Sequence, residues 1–229
     1  MSMFQGFPTE TMRFFAGLTN NNEREWFQAH KADYERYVVE PALALITDLD
    51  PVVRSISPHY RGVAKKMGGS LMRIYRDTRF GHDKTPYKTN LGLQFRHEFA
   101  SDVHAPGWYL HLDLEEAFVG AGTWHPQPED LLKIRQAIAS QPDKFSLALE
   151  KSTHSSGMKP EGDSAKRMPA GFESSHPLAH ELKRKDFLIS ANLAHELYGG
   201  PGLVQVLEEK LRASAPYMAF LCQALGAAF

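Results

Sequence analysis

The first quarter of the chain has apolar residues at helical spacing. One stripe runs through 8–18 and a second through 22–56, each with the three- and four-residue spacing of an amphipathic helix. Asn22 followed by Glu25 has the form of a capping box, so the second helix is expected to begin there. Pro41 is expected either to kink this helix or to open a new one at its first turn.

The middle of the chain changes to an alternating pattern, which is typical of half-buried strands. The alternation is clear in 90–99 and in 108–114, and 117–123 follows almost at once. The short link at 115–116 predicts a hairpin and therefore an antiparallel pair of strands. The short apolar run 71–75 is expected to form a further strand.

The last third of the chain returns to helical spacing. Helices are expected in 127–140, in 142–149 and from 203 to the last residue. The polar, small-residue stretch 152–162 is expected to be a mobile loop. The run 186–192 is expected to be a strand.

This order of elements predicts an α+β fold. We expect an antiparallel sheet of about five strands packed against N- and C-terminal helices, in a single domain over residues 1–229. Composition agrees with this expectation, since 42% hydrophobic and 23% charged residues in a chain of 229 are typical of a globular domain.

The sequence indicates a cytoplasmic protein. The N-terminal residues have neither the basic nor the apolar region of a signal peptide. No window approaches the roughly 18 consecutive apolar residues of a membrane span, so no membrane partner is expected. The single cysteine, Cys222, cannot form an intramolecular disulfide and lies in an apolar run, which favours a buried, unreactive thiol.

Charge is arranged in two blocks, although the formal net charge is only −1. Positions 61–96 contain nine lysines or arginines and two acids, whereas positions 98–130 contain seven acids and no lysine or arginine. A chain with so little net charge has no general attraction to nucleic acid or to anionic lipid. Recognition of an anion therefore has to be local, in the basic block.

Nine residues of the basic block form the candidate binding site. They are Arg73, Arg76, Asp77, Arg79, Asp83, Lys84, Tyr87, Lys88 and Asn90. Arginine forks bind pairs of phosphate or carboxylate oxygens, and lysine adds a point charge. Two acids among these cations are expected to orient them. We therefore expect this segment to bind an anionic, phosphate-containing ligand.

Two details shape this expectation. Tyr75, Phe80 and Tyr87 are interleaved with the cations, where aromatic rings are able to stack on a base or another ring. In a strand over 71–76, Arg73 and Arg76 face opposite sides because their separation is odd. They are then expected to share a site only across a bulge or a turn.

Two other interpretations stay open. In the first, the protein is a non-catalytic interaction module whose basic and acidic blocks pair internally or across a homodimer, since a buried arginine needs a carboxylate partner. In the second, the basic block binds nucleic acid, with an affinity that falls steeply with salt. No nucleophile elbow, P-loop or dinucleotide fingerprint is present. No catalytic residue is therefore named, and enzymatic activity, cofactor and oligomeric state stay open.

A metal cluster is the weakest of the candidate sites. His111, Asp113 and Glu115 alternate along one strand, so their side chains point the same way. His125 or His104 is available to complete a set of ligands. One histidine and two acids without a second tight motif are more typical of a polar sheet face, so no metal site is assigned.

Four motifs together resemble an uncharacterised bacterial family, domain of unknown function 2461. The motifs are Phe-x-Gly-Phe at 4–7 with Trp26-Phe27, Arg-Ile-Tyr-Arg-Asp-Thr-Arg-Phe at 73–80 leading into 83–90, Phe-Val-Gly-Ala-Gly-Thr-Trp at 118–124, and Arg-x-Pro-x-Gly-Phe at 167–172 with Leu-x-x-Lys-Asp-Phe at 182–187. The resemblance covers nearly the whole chain and implies a single-domain cytoplasmic protein. It supplies no catalytic residues, because the reaction and ligand of the family are not established.

Overall fold

The computed structural model describes residues 3–79, 83–99 and 105–229. Two sequence candidates, Phe80 and His104, lie outside these residues. The N-terminal part is helical, as the apolar spacing predicted. Its elements are α1 (Thr9–Asn20), α2 (Arg24–Ala29), α3 (Lys31–Tyr34), a π-helical turn (Glu35–Val39) and α4 (Glu40–Ile56).

The predicted capping box at Asn22 is wrong. The N-cap residue of α2 is Glu23, and it makes no side-chain capping bond. The side chain of Asn22 instead contacts the backbone of Tyr87, 65 residues away in sequence. A polar side chain next to a helix start is free to satisfy a distant backbone group when tertiary packing brings that group within reach.

The centre of the molecule is a six-stranded sheet, and every neighbouring pair of strands is antiparallel. The order of strands is β1-β2-β3-β4-β6-β5. The strands are β1 (Tyr60–Arg61), β2 (Leu91–His97), β3 (Gly107–Leu112), β4 (Ala117–Thr123), β5 (Lys159–Glu161) and β6 (Phe187–Asn192). The hairpin predicted between β3 and β4 is present, with Leu112 opposite Ala117. The α+β prediction is confirmed.

Two local predictions are wrong. The run 71–75 is not a strand, since only Leu71 and Tyr75 form isolated bridges, to Leu93 and Tyr87. The stretch 152–162 is not a loop. Its first half completes a helix that ends at Ser156, and its second half contains β5. All three residues of β5 are exposed. This strand therefore lacks the alternation of apolar and polar residues from which strands are predicted in a sequence.

Six further helices follow β4 in the described chain. They are α5 (Pro128–Ser140), α6 (Pro142–Ser156), α7 (Ala179–Leu182), α8 (His195–Tyr198), α9 (Gly202–Ala213) and α10 (Ala215–Ala224). Helices α4, α9 and α10 contact the sheet, so both ends of the chain cover it. None of the helices in the described ranges is long and apolar enough to cross a membrane.

One face of the sheet forms the core. Leu93, Leu110 and Val119 on neighbouring strands are buried there. Trp108 is fully buried and donates from its indole nitrogen to the Ser214 hydroxyl at 2.8 Å, which joins β3 to the start of α10. Cys222 is buried as expected, and this burial raises the pKa of its thiol. The residues that alternate with the core residues point to the opposite face, which carries the site.

Candidate functional site

The basic segment forms an irregular arm on the edge of β2. We call residues 70–79 and 83–90 the basic arm. Its two limbs run side by side, since the Arg76 N–H donates to the Pro86 carbonyl at 2.9 Å and the Lys88 N–H donates to the Ile74 carbonyl at 2.7 Å. Because 71–76 is not a strand, the alternation that placed Arg73 and Arg76 on opposite sides does not apply.

The arm carries a shallow concavity of about 400 Å³. Its lining residues are Arg76, Asp77, Lys88, Thr89 and Asn90. Four of the nine sequence candidates therefore meet here. Thr89 was not predicted, because nothing in the pattern of a polar run distinguishes a threonine that lines a site from one that only faces solvent.

Positive charge is concentrated around Lys88. Burial lowers the pKa of its ammonium group, and the nearby charges of Arg73 and Arg76 lower it further. Arg73 does not line the concavity but lies close enough to act on both Lys88 and Asp77. Three cations thus act on one small region of the arm.

The other arginines of the arm have carboxylate partners. Arg79 binds Asp77 through two parallel bonds, Nε to Oδ1 at 2.9 Å and Nη2 to Oδ2 at 2.7 Å. The bond from the Arg79 side chain holds the pKa of Asp77 well below its usual range. Arg76 contacts both Asp83 and Thr85. The pKa of Asp83 is also lowered, first by the Thr85 N–H and hydroxyl and then by Arg76.

Two cations of the arm differ from these. Among the described residues, neither Arg73 nor Lys88 makes an ion pair or a side-chain hydrogen bond. Lys84 also lacks an ion pair there, but its ammonium group donates to the Thr78 carbonyl at 2.7 Å, away from the concavity. Lys84 thus holds the arm's own backbone together.

Tyr87 anchors the arm to the helices. Its ring is 2% exposed and stacks on Phe27, with ring centroids 4.2 Å apart and planes 17° apart. The Tyr75 ring is tilted against Tyr87, with centroids 5.3 Å apart, but is 51% exposed. Of the two described aromatic candidates of the arm, Tyr75 is the ring that solvent and a ligand are able to reach.

A deeper cleft of about 420 Å³ lies on the open face of the sheet. Its lining includes Gln94, Tyr109, His111, Phe118, Gly120, Gly122, Trp124, Leu188 and Ser190. These residues occupy the outward positions of four adjacent strands or follow directly after one. Gly120 leaves space above the floor, since a Cβ atom there meets nothing closer than 3.8 Å. The floor is mostly apolar, with polar groups at its ends.

Asn90 joins the concavity to the cleft. Its amide nitrogen lies 3.4 Å from Nδ1 of His111, and the Tyr109 hydroxyl lies 3.2 Å from the same atom. Burial raises the pKa of Tyr109 to about 12, so its phenol stays protonated. The two depressions are therefore neighbours, one cationic and one largely apolar.

The predicted trio of His111, Asp113 and Glu115 is changed by the structure. The ligand atoms of His111, Asp113 and Glu116 lie within 4.8 Å of one another. Glu116 takes the place expected for Glu115, because the chain leaves β3 after Leu112 and turns, which ends the strand alternation. Burial raises the pKa of Asp113, but the bonds from His111 and from the Glu115 and Glu116 N–H groups lower it more.

His125 lies in a different place from this trio. It follows Trp124 at the far end of β4, has a positive φ of 48°, and bonds Asp186 through both its N–H and its Nδ1, each at 2.7 Å. Asp186 is 2% exposed and also accepts from the Asp163 N–H at 3.0 Å. Asp186 belongs to the motif at 182–187, but no role was predicted for it, because an acid before a strand has no local partner.

These observations define an α+β protein whose sheet carries helices on one face and, on the other, a largely apolar cleft beside the concavity of the basic arm. The model of the family described as conserved hypothetical protein (DUF2461) matches residues 10–220. The chain belongs to this family, which confirms the resemblance drawn from the four motifs. A search of curated proteins found no match.

Proposed function

We propose that the protein binds a phosphate-bearing small molecule, with the anion against Arg73, Arg76 and Lys88 and the rest of the ligand in the neighbouring cleft. The observation that carries the proposal is the pair of cations, Arg73 and Lys88, that have no carboxylate partner among the described residues although Arg76 and Arg79 beside them do.

Electrostatics favours an anion at this place. The pKa of Lys88 is lowered first by burial and then by the like charges of Arg73 and Arg76, which disfavour its charged form. A purely structural network pairs its cations, as Arg79 and Asp77 do. A phosphate dianion neutralises the unpaired cations and accepts bonds from an arginine fork and from lysine.

The cleft supports a ligand larger than phosphate alone. Its volume of about 420 Å³ lies within the range of roughly 300–1,000 Å³ that is usual for small-molecule sites. The lining is mostly apolar, and its polar side chains include Gln94, Tyr109, His111, Glu161 and Ser190. Asn90 lines the concavity and contacts His111 of the cleft, so one ligand is able to span both.

The alternative of internal pairing between the two charge blocks has less support. Within 3–79, 83–99 and 105–229, no ion pair joins a lysine or arginine of 61–96 to an acid of 98–130. The pairs of the arm stay inside it, and Lys66 pairs with Glu35 of the π-helical turn. Pairing across a homodimer and binding of nucleic acid are alternative outcomes of the following experiment.

The test is a thermal-shift series on the purified full chain with inorganic phosphate, nucleotides, sugar phosphates and a short single-stranded oligonucleotide. A ligand at 100 times its Kd stabilises a protein by about 2.7 kcal/mol, or roughly 5–11 °C in a chain of this size. Lys88→Gln removes the central cation. Lys65→Gln removes an equal charge from an exposed position of the same block that does not line the concavity.

We expect one class of phosphate compound to raise the Tm of the wild type and of Lys65→Gln. In Lys88→Gln, most of this rise in Tm is expected to be lost. Equal shifts in the two variants contradict it. A shift with the oligonucleotide alone, steeply dependent on salt, favours nucleic-acid binding. No shift with any compound, together with a dimer that dissociates in salt, favours the pairing of charge blocks between two copies.

A further inference from the structure

Three potential metal ligands meet at the β3–β4 hairpin. His111 lies near the end of β3, and Asp113 and Glu116 belong to the turn that follows. One ligand atom from each, an imidazole nitrogen and two carboxylate oxygens, lies within 4.8 Å of the other two. The cluster stands at the edge of the cleft, since His111 also lines it.

The His111 ring has a fixed orientation. It stacks on Phe118, with centroids 4.9 Å apart and planes 10° apart, and its side chain is only 15% exposed. Nδ1 lies near the Tyr109 hydroxyl and the Asn90 amide, so Nε2 points toward Asp113 Oδ2 at 2.8 Å. An ion at Nε2 needs the ring proton on Nδ1, where the Tyr109 hydroxyl oxygen at 3.2 Å is able to accept it, and metal-binding histidines usually donate their other ring N–H to such an outer group.

Asp113 divides its two oxygens between two tasks. Oδ1 accepts the N–H groups of Glu115 and Glu116, each at 2.8 Å, which fixes the turn. Oδ2 is left to face His111. The carboxylate is thus held rigidly by backbone donors while one oxygen stays available as a ligand.

The side-chain carboxylate of Glu116 has no role in holding the turn together. The turn needs only its backbone groups, and in the described ranges its carboxylate makes no ion pair and no hydrogen bond. It nevertheless lies beside the Asp113 carboxylate. Two neighbouring carboxylates are favourably placed to hold a cation between them. The His111–Asp113 bond engages Asp113 but does not reach Glu116.

We propose that His111, Asp113 and Glu116 bind a divalent transition-metal ion. One imidazole nitrogen with two carboxylates is a donor set that suits an ion such as Zn²⁺ better than Ca²⁺ or Mg²⁺, which prefer oxygen alone. Three protein ligands also leave a coordination position for water or a ligand, as in catalytic zinc sites. Ion binding here does not need the cations of the basic arm, although Asn90 of the arm lies near His111.

The experiment is calorimetric titration of the metal-stripped full chain with ZnCl₂ alone, in the absence of any phosphate compound. The wild type is expected to bind one Zn²⁺ per chain at this site. Glu116→Gln and His111→Ala are each expected to weaken binding by at least about tenfold, the range in which loss even of an outer-shell partner falls. Glu115→Gln is the matched control, since Glu115 is an exposed acid of the same turn outside the cluster.

Circular dichroism shows whether the variants are folded. Glu116→Gln changes an exposed side chain, so it keeps the test valid if His111→Ala is unstable. Wild-type protein without Zn²⁺ binding overturns the proposal, and so do equal affinities of Glu115→Gln and Glu116→Gln. Because the titrant is the metal alone, a negative result here leaves the phosphate proposal unaffected.

Discussion

The side chain of Asn22 forms a two-point clamp on the backbone of Tyr87. Its Oδ1 accepts the Tyr87 N–H at 3.0 Å, and its Nδ2 donates to the Tyr87 carbonyl at 2.9 Å. The clamp ties the loop before α2 to the basic arm and sets the position of the residue before Lys88. The N-terminal helices therefore help to define the geometry of the candidate site.

Removal of this clamp is expected to destabilise the protein. Asn22→Ala breaks two partly buried bonds and leaves two backbone groups without partners, so we expect a loss of about 2 kcal/mol in the free energy of unfolding. Urea unfolding measures it. Asn20→Ala is the control, since Asn20 is exposed and donates only to a carbonyl of its own helix. A similar small effect of both changes, within about 0.5 kcal/mol, contradicts the role of the clamp.

Replacement of Lys88 is expected to stabilise the ligand-free protein. Lys88→Gln removes a half-buried charge and its repulsion with Arg73 and Arg76, and the gain is less than about 1 kcal/mol because solvent screens partly exposed charges. The pKa of Lys88 is lowered by folding, so the unfolded chain binds its proton more tightly and wild-type stability rises as pH increases through the alkaline range. The difference between variant and wild type is therefore expected to shrink at about pH 10.

Urea unfolding at pH 7 and at about pH 10 measures this effect, and Lys65→Gln controls for the general loss of a positive charge. A loss of stability above about 1 kcal/mol in Lys88→Gln at pH 7 means that the lysine holds the fold together. The stabilisation expected from replacing Lys88 is then absent, and the case for an anionic ligand at the arm is weakened.

Asp186 is expected to contribute stability that depends on pH. Burial raises the pKa of Asp186, but the bonds from the His125 and Asp163 N–H groups and the His125 ring lower it more, so its net shift is downward. A carboxyl whose pKa is lowered by folding stabilises the protein above its unfolded pKa of about 3.9, and this contribution is lost as pH falls through the folded value.

Asp186→Asn is accordingly expected to cost about 1–3 kcal/mol at pH 6–7, because it leaves buried donors without a charged acceptor. The cost is expected to shrink below about pH 4, where the wild-type carboxyl takes up its proton. Unfolding midpoints in urea across this range are the measurement. A cost of Asp186→Asn that stays the same across this pH range means that the negative charge of Asp186 does not contribute to stability.

The two glycines of the motif at 118–124 are expected to respond differently to alanine. Gly122 has a φ of 130°, and a Cβ atom there lies 2.0 Å from the Phe187 carbonyl oxygen, so Gly122→Ala is expected to cost more than about 3 kcal/mol. Gly120 has room for a Cβ at ordinary contact distances, and Gly120→Ala is expected to change stability by less than about 1 kcal/mol. Thermal unfolding compares them, and equal losses contradict the assignment.

The sequence by itself determined the local elements of this fold. Alternation predicted β2, β3 and β4 and the hairpin between the last two, and helical spacing predicted the covering helices at both ends. These patterns are readable because each residue's burial depends on which face of its own strand or helix it occupies. The family motifs and the block of positive charge are likewise properties of the chain alone.

Tertiary structure decided how these pieces form a site. The insertion of β6 between β4 and β5, the clamp of Asn22 on Tyr87 and the placing of Glu116 rather than Glu115 beside His111 all join residues through packing. Which cations of the arm have partners was equally decided there. The physical reason is that strand pairing and ion pairing depend on distances across the fold, and no local period of the sequence encodes those distances.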